Sequence, residues 1–285
     1  MTLVLVGTDF STRSDRALRR AAMLAKAAGW SIHLLAVIDD DQPSAMVDAH
    51  VREAGSILDD LAATMERHDG VVCRTEVRTG DPFMTLADAA REIMPTVMVL
   101  GPHRRQLLRD QFLGTTVERT LRRTTCPVIV ANGVPSGAYR RVMIAVDLEP
   151  YSEAGLRTVD ALPFVRGAKR MAMYAYDPIA DAMLAGSFTP AEERAAHREE
   201  MTAAALGELE GFLRKAGMRG LAPIVRPSPG EISVAIAEAT KSLNVDLIVL
   251  TVSDKNALTK KMLGSTVEAV LRDAEADVLV VHPGR

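Results

Sequence analysis

Cysteine is almost missing from this chain. Its 285 residues include two, Cys73 and Cys126, which form no CxxC pair and join no histidine cluster. There is no disulfide framework, and the usage fits a reducing cytoplasm with both thiols as small buried side chains. The six histidines are scattered singly, so none of them forms the convergent set that zinc needs. Long apolar runs are missing too, and no segment approaches the roughly 20 residues of a membrane helix. The opening MTLVLVGTDF has no cationic lead-in and is expected to be a first β-strand rather than a signal peptide. Charge is nearly balanced, at a formal net of −3 without a basic tail. Neither nucleic acid nor a membrane surface is therefore an expected partner. No GxSxG, HExxH or Walker A motif occurs. What remains is an ordinary soluble composition, 48% hydrophobic and 25% charged, long enough for one large domain or two ordinary ones.

The chain answers that choice by repeating itself. LVLVGTD (3–9) matches VMIAVD (142–147), and TGDPFMTLADAA (79–90) matches SPGEISVAIAEA (228–239). TVMVLGPH (96–103) matches DLIVLTVS (246–253), LGTTVERTLR (113–122) matches LGSTVEAVLR (263–272), and CPVIVA (126–131) matches ADVLVV (276–281). The offset is 147 − 9 = 138 at the first strand and 264 − 114 = 150 near the end. The second copy thus carries about a dozen extra residues, placed in YDPIADAMLAGSFTPAEE (176–193), either a lid or a plain loop. ANGVPSGAYR (131–140) joins the copies, its glycines and proline marking a loop. The expected domains are 1–134 and 139–285.

Each copy alternates apolar runs with amphipathic helical stretches. In the first, strands are expected at 3–6, 32–38, 71–77, 96–100 and 128–130. STRSDRALRRAAMLAKAAG opens on cap-forming residues and closes at Gly29. DPFMTLADAAREI offers Asp81 as N-cap and Pro82 at the first helical position. Near-continuous apolar strands belong in a sheet covered on both faces. Alternation of strand and helix then gives an α/β fold of doubly wound, Rossmann-like parallel sheets.

These residues resemble the universal stress protein domain, twice over. The likeness covers nearly the whole chain. It rests on the first-strand aspartates (Asp9, Asp147), the loop ending Gly-Thr or Gly-Ser, the segment TVERTLRRTTCPVIV and the order of elements. The resemblance implies five strands per domain in order 3-2-1-4-5, and pairing of the two domains through their last strands as an internal pseudo-dimer. Two separate sheets in ordered contact between residues 128–130 and 278–280 are expected, not one continuous sheet.

Nucleotide-binding members of that family carry a loop G-x2-G-x9-G-[ST]. GPHRRQLLRDQFLGTT (101–116) keeps the spacing with Gly101, Gly114 and Thr115, but Arg104 replaces the second glycine. The loop admits two uses. It is either an anion or nucleotide site, with His103, Arg104, Thr115 and Thr116 facing a phosphate at a helix start, or a solvated surface connection. By the resemblance, Asp9 lies by the nucleoside and Val37 near the base. The alternative is that Asp9 and Asp147 cap their following helices. The second copy has Thr251, Asp254, Gly264 and Ser265 at the loop positions. Asp254 sets a carboxylate where polyphosphate would lie, and two unit charges ~4 Å apart repel by about 4 kcal/mol at an intermediate dielectric. ATP is therefore expected in domain 1 only, if at all, and no metal is expected. Two functions compete: a non-enzymatic stress-response protein binding a small ligand or other proteins, and a weak ATP hydrolase using the domain 1 loop; a third reading is that the second crevice has exchanged nucleotide for an apolar ligand under the insert. The absence of an evident base for a water favours the first. Further homodimerisation is left open.

Overall fold

The computed structural model describes residues 2–102, 115–178, 191–252 and 263–282. The candidates His103, Arg104, Gly114 and Asp254, and most of the second-copy insert, lie outside the described residues.

The first copy runs β1 (Leu3–Thr8), α1 (Thr12–Ala28), β2 (Ser31–Ile38), α2 (Ser44–Asp69), β3 (Cys73–Thr79), α3 (Pro82–Ile93), β4 (Val97–Leu100), α4 (Thr116–Leu121) and β5 (Val128–Val130). The second runs β6 (Arg141–Val146), α5 (Pro150–Asp160), α6 (Pro163–Arg166), β7 (Lys169–Tyr176), α7 (Ala191–Lys215), β8 (Ala222–Pro227), α8 (Ile232–Leu243), β9 (Leu247–Thr251), α9 (Ser265–Asp273) and β10 (Asp277–Val281). Local signals act as expected at both ends of α1 and at the start of α3. Ser11 caps α1, and Gly29 closes it at φ 66°. Asp81 accepts from the N–H groups of Phe83 and Met84, at 3.0 and 3.1 Å. The third strand starts two residues later than expected, because Val71 is buried ahead of it while Val72 is 61% exposed. The helical part of the repeat was also misregistered by one residue. The α3 and α8 helices begin at Pro82 and Ile232, an offset of 150 rather than 149.

Each copy forms a parallel sheet of order 3-2-1-4-5. The two sheets are not separate, which corrects that expectation. One ten-stranded sheet runs β3-β2-β1-β4-β5-β10-β9-β6-β7-β8. At its centre β5 and β10 are antiparallel, with Val128, Ile129 and Val130 opposite Val280, Leu279 and Val278. The reversed direction at this seam is what pairing of two parallel half-sheets through like edges requires. The contact between 128–130 and 278–280 is thus present, as a hydrogen-bonded ladder. Strand side chains alternate between two cores. Val4 and Val6 belong to the core on the face covered by α1, α2, α5, α6 and α7, and Leu5 to the core on the face covered by α3, α4, α8 and α9. A fully buried leucine such as Leu5 contributes about 1.5–3 kcal/mol. Met171 and Met173 are core residues of β7.

The interdomain joint is fastened at the seam. Asp277 of β10 is 0% exposed. It accepts from the Tyr139 hydroxyl at 2.7 Å and the Gly133 N–H at 2.8 Å. Arg20 Nε of α1 lies 2.7 Å from Oδ2, the oxygen that also accepts from Tyr139, as an ion pair. Arg20 also donates to the Gly137 carbonyl at 2.8 Å and stacks over the Tyr139 ring. Phe164 of the second copy meets both Trp30 of the first and Tyr139 of the joint. Among the described residues no helix is long and apolar enough to cross a membrane.

Candidate functional site

In a doubly wound sheet the crevice opens beyond the C-terminal ends of the strands, where strand order reverses. That point falls between β1 and β4 in the first copy, and between β6 and β9 in the second. A cleft lies at each.

The first cleft has a volume of about 380 Å³ and gathers Asp9, Val37, Gly101, Thr115 and Thr116. Its floor is apolar, from Leu35, Val37, Leu86 and Leu100. Asp9 follows β1 directly, and its side chain is 64% exposed. Asp9 Oδ1 accepts from Ser11 N–H at 3.1 Å and Ser11 Oγ at 2.5 Å, while Oδ2 lies 3.6 Å from Arg13 Nη2. Partial burial pushes this carboxyl up, but the bonds from Ser11 and Ser14 and the Arg13 charge outweigh it. Its pKa therefore lies below the ordinary value. Asp9 does not cap α1 itself. Ser11 does, with its oxygen facing Ser14 N–H at 3.4 Å, and Asp9 braces Ser11 from outside. Between them Phe10 adopts φ 58°, a left-handed conformation uncommon for a bulky residue.

Gly101 has a packing reason to be glycine. A Cβ there would lie 2.8 Å from the Arg13 carbonyl carbon and oxygen and 3.0 Å from Ser14 N. The first loop glycine thus lets the start of α1 cross the end of β4. Thr115 caps α4, accepting from Glu118 N–H at 3.2 Å, and Thr116 is the first helical residue.

The second cleft, of about 240 Å³, contains Asp147, Gly264 and Ser265. Asp147 Oδ1 accepts from Ser152 Oγ at 2.5 Å and Glu149 N–H at 3.2 Å. The capping position of α5 is Glu149, without a side-chain cap bond, so Asp147 does not cap its helix either. Leu148 repeats the strained conformation of Phe10, at φ 61°. At the Gly101 position stands Thr251, and the glycine has moved to the helix. A Cβ on Gly155 would lie 2.2 Å from Thr251 Oγ1. Gly264 has φ 98°, and Ser265 is the first residue of α9 rather than its cap.

Sequence reasoning missed the contributions of Arg13, Ser11 and Ser14, and in the second cleft those of Tyr151, Met173 and Tyr174. The repeat offset of 138 contains the signal, since it sets Arg13 against Tyr151 and Leu35 against Met173. Among the described residues no three His, Cys, Asp or Glu side chains are grouped as a metal site would need. His33 instead pairs with Glu76 at 2.8 Å on β3.

The profile of the Universal stress protein family matches residues 1–132 and again 138–282. A universal stress protein of Mycolicibacterium smegmatis is 26% identical over 98% of this chain and 97% of its own. One from Mycobacterium tuberculosis is 26% identical over 73% of this chain and 68% of its own. The crystal structure of a universal stress protein from Archaeoglobus fulgidus shares the fold, with TM-score 0.73 at 18% identity over 99% of this chain and 96% of that one. The chain belongs to the universal stress protein family and carries its domain twice, in tandem.

Proposed function

We propose that the protein is a non-enzymatic ligand-binding member of the family whose first cleft takes a phosphorylated nucleoside, with ATP the ligand to test. The carrying observation is the convergence of Asp9, Val37, Gly101, Thr115 and Thr116 on one 380 Å³ cleft at the switch point. Its apolar floor suits a base, its carboxylate suits a ribose hydroxyl, and the start of α4 offers N–H groups without helical partners. Binding without turnover is the favoured mode. Asp9 has a lowered pKa and two hydrogen bonds on Oδ1, which makes it a poor base for a water. We assign the domains to 1–134 and 139–285. We place the protein in the cytoplasm as an internal pseudo-dimer, signalling through its ligand or a protein partner.

Identification of the small molecules released when freshly purified protein is denatured tests the ligand. Titration with ATP at low and moderate salt tests the loop. A Cβ at a close backbone approach costs about 1–3 kcal/mol, so Arg104→Gly is expected to tighten ATP about fivefold or more. Unchanged or weaker binding would mean that the guanidinium recruits the phosphate rather than obstructing it. Phosphate release at a rate that Asp9→Asn abolishes would favour the hydrolase instead.

A further inference from the structure

The second cleft has the frame of the first and a different chemistry. Its described lining carries one charged side chain, Asp147, and no cation. In the first cleft Arg13 faces Asp9 Oδ2 at 3.6 Å. In the second, Tyr151 stands at the Arg13 position, and among the described residues Asp147 Oδ2 has no cationic partner. Two tyrosines, Tyr151 and Tyr174, line the cleft together with Met173. Ile232 sits at its edge while 43% exposed, although it is a large apolar residue.

We propose that the second cleft is a binding site for a small apolar molecule carrying a single ammonium group. The cation would sit against Asp147 and the tyrosine rings, and the apolar body against Ile232, over a buried floor of Met173, Ile236 and Leu250. A cation over a tyrosine ring and beside a carboxylate is attracted by both, whereas a polyphosphate would be repelled by the Asp147 carboxylate, which has no cationic partner among the described residues. Burial first, and then the charges of Glu208 and Asp147, push the Tyr174 hydroxyl above its ordinary pKa. The volume of about 240 Å³ lies below the range of about 300–1,000 Å³ typical for drug-sized ligands, which restricts the occupant to a small molecule. The site is independent of what the first cleft holds.

The test is a titration of the full chain, labelled with ¹³C-methyl methionine, using phenethylammonium as the probe. Phenylacetate serves as its anionic counterpart and ATP as the polyphosphate. The Met173 resonance is assigned by its loss in Met173→Leu. Phenethylammonium is expected to shift it saturably while phenylacetate and ATP do not. Asp147→Asn is expected to weaken the probe about fivefold, and Tyr174→Leu by a similar factor. An unshifted Met98 signal, buried in the first copy, reports that each variant is folded. Should Asp147→Asn not fold, Tyr151→Leu at the cleft supplies the second variant, with a loss of about twofold to fivefold expected. Absence of a saturable Met173 shift overturns the proposal. So does an equal shift with phenylacetate or ATP, or undiminished affinity in the folded variants.

Discussion

The two copies solve one packing problem in opposite ways. Where the end of the fourth strand of each copy meets that copy's first helix, the first copy makes the strand residue small, with Gly101 under the backbone of Arg13. The second makes the helix residue small, with Gly155 beside Thr251. Both keep an aspartate after the first strand and a bulky residue at positive φ next to it. A missing motif glycine is therefore a poor sign of a lost ligand, because the glycine at this position serves helix packing. What separates the clefts is charge and surface, with Arg13 in one and Tyr151 in the other.

The largest test of this asymmetry lies at the seam. By the repeat offsets, Arg20 corresponds to Thr158 and Asp277 to Pro127, so the buried pair exists on one side of the pseudo-dimer alone. Removing one member of a buried pair costs about 3–5 kcal/mol. Arg20→Leu is expected to lose that much in urea unfolding. Arg20→Leu combined with Asp277→Asn should lose less than the single change, because no uncompensated charge stays buried. The pH dependence follows from Asp277. Burial raises its folded pKa, and Arg20, Tyr139 and Gly133 offset this only in part. A raised carboxyl contributes stability that is fully present below the unfolded pKa and is lost as pH rises through the folded one. Loss of Arg20 raises that pKa further, so the deficit of Arg20→Leu should grow from about pH 4 to neutrality. A loss below about 1 kcal/mol, flat in pH, would make the seam pair incidental.

Next in size is the glycine exchange. Gly101→Thr should destabilise by about 1–3 kcal/mol, since the obstruction is backbone. Ala17→Gly, at the position of Gly155, should not rescue it, because Arg13 rather than Ala17 is in the way. Thr251→Gly should cost about 1 kcal/mol, chiefly from backbone freedom in a strand. Thermal unfolding of Gly101→Thr, Ala17→Gly, Thr251→Gly and the double variant of the first two decides. Rescue by Ala17→Gly would mean that the two contacts are equivalent after all.

Much of the fold was legible because it is written in local, repeated signals. Apolar strands, Ser11, Gly29, Asp81 and Pro82 mark their elements without help from distant residues. The repeat then gave the tandem arrangement, and the resemblance gave strand order. Continuity of the sheet was not legible, since backbone pairing of β5 with β10 leaves no mark beyond two apolar edges. The seam cluster escaped for a related reason. Arg20 and Asp277 read as surface charges until the fold brings them together across 257 positions, as 277 − 20 shows. Around the clefts, Asp9 and Thr115 announced themselves. Arg13 and Tyr151 did not, because on a helix they look like any polar or aromatic residue.

The smallest expected effect concerns the two helix starts beside the clefts. Thr115 and Ser265 are equivalent in sequence, yet the structure uses them differently. Thr115 is the cap of α4, and its hydroxyl accepts from Glu118 N–H. Ser265 is already inside α9, behind Gly264, which at φ 98° caps the helix without a side chain. Substituting a capping threonine by alanine costs about 1 kcal/mol. Alanine at a first-turn position without a cap bond is neutral or improves helix propensity by a few tenths of a kcal/mol. Thr115→Ala should therefore lower stability by about 1 kcal/mol, and Ser265→Ala should leave it unchanged within error. The same pair informs ligand binding. If the first cleft takes phosphate at the α4 start, Thr115→Ala should also weaken ATP, whereas Ser265→Ala should not. Gly264→Val is the poorer variant for that purpose, since a β-branched residue at φ 98° is strained whatever binds nearby. Equal stability losses from Thr115→Ala and Ser265→Ala would show that both helices are capped alike, and the contrast between the two loops would fail at the residue where sequence and structure most clearly part.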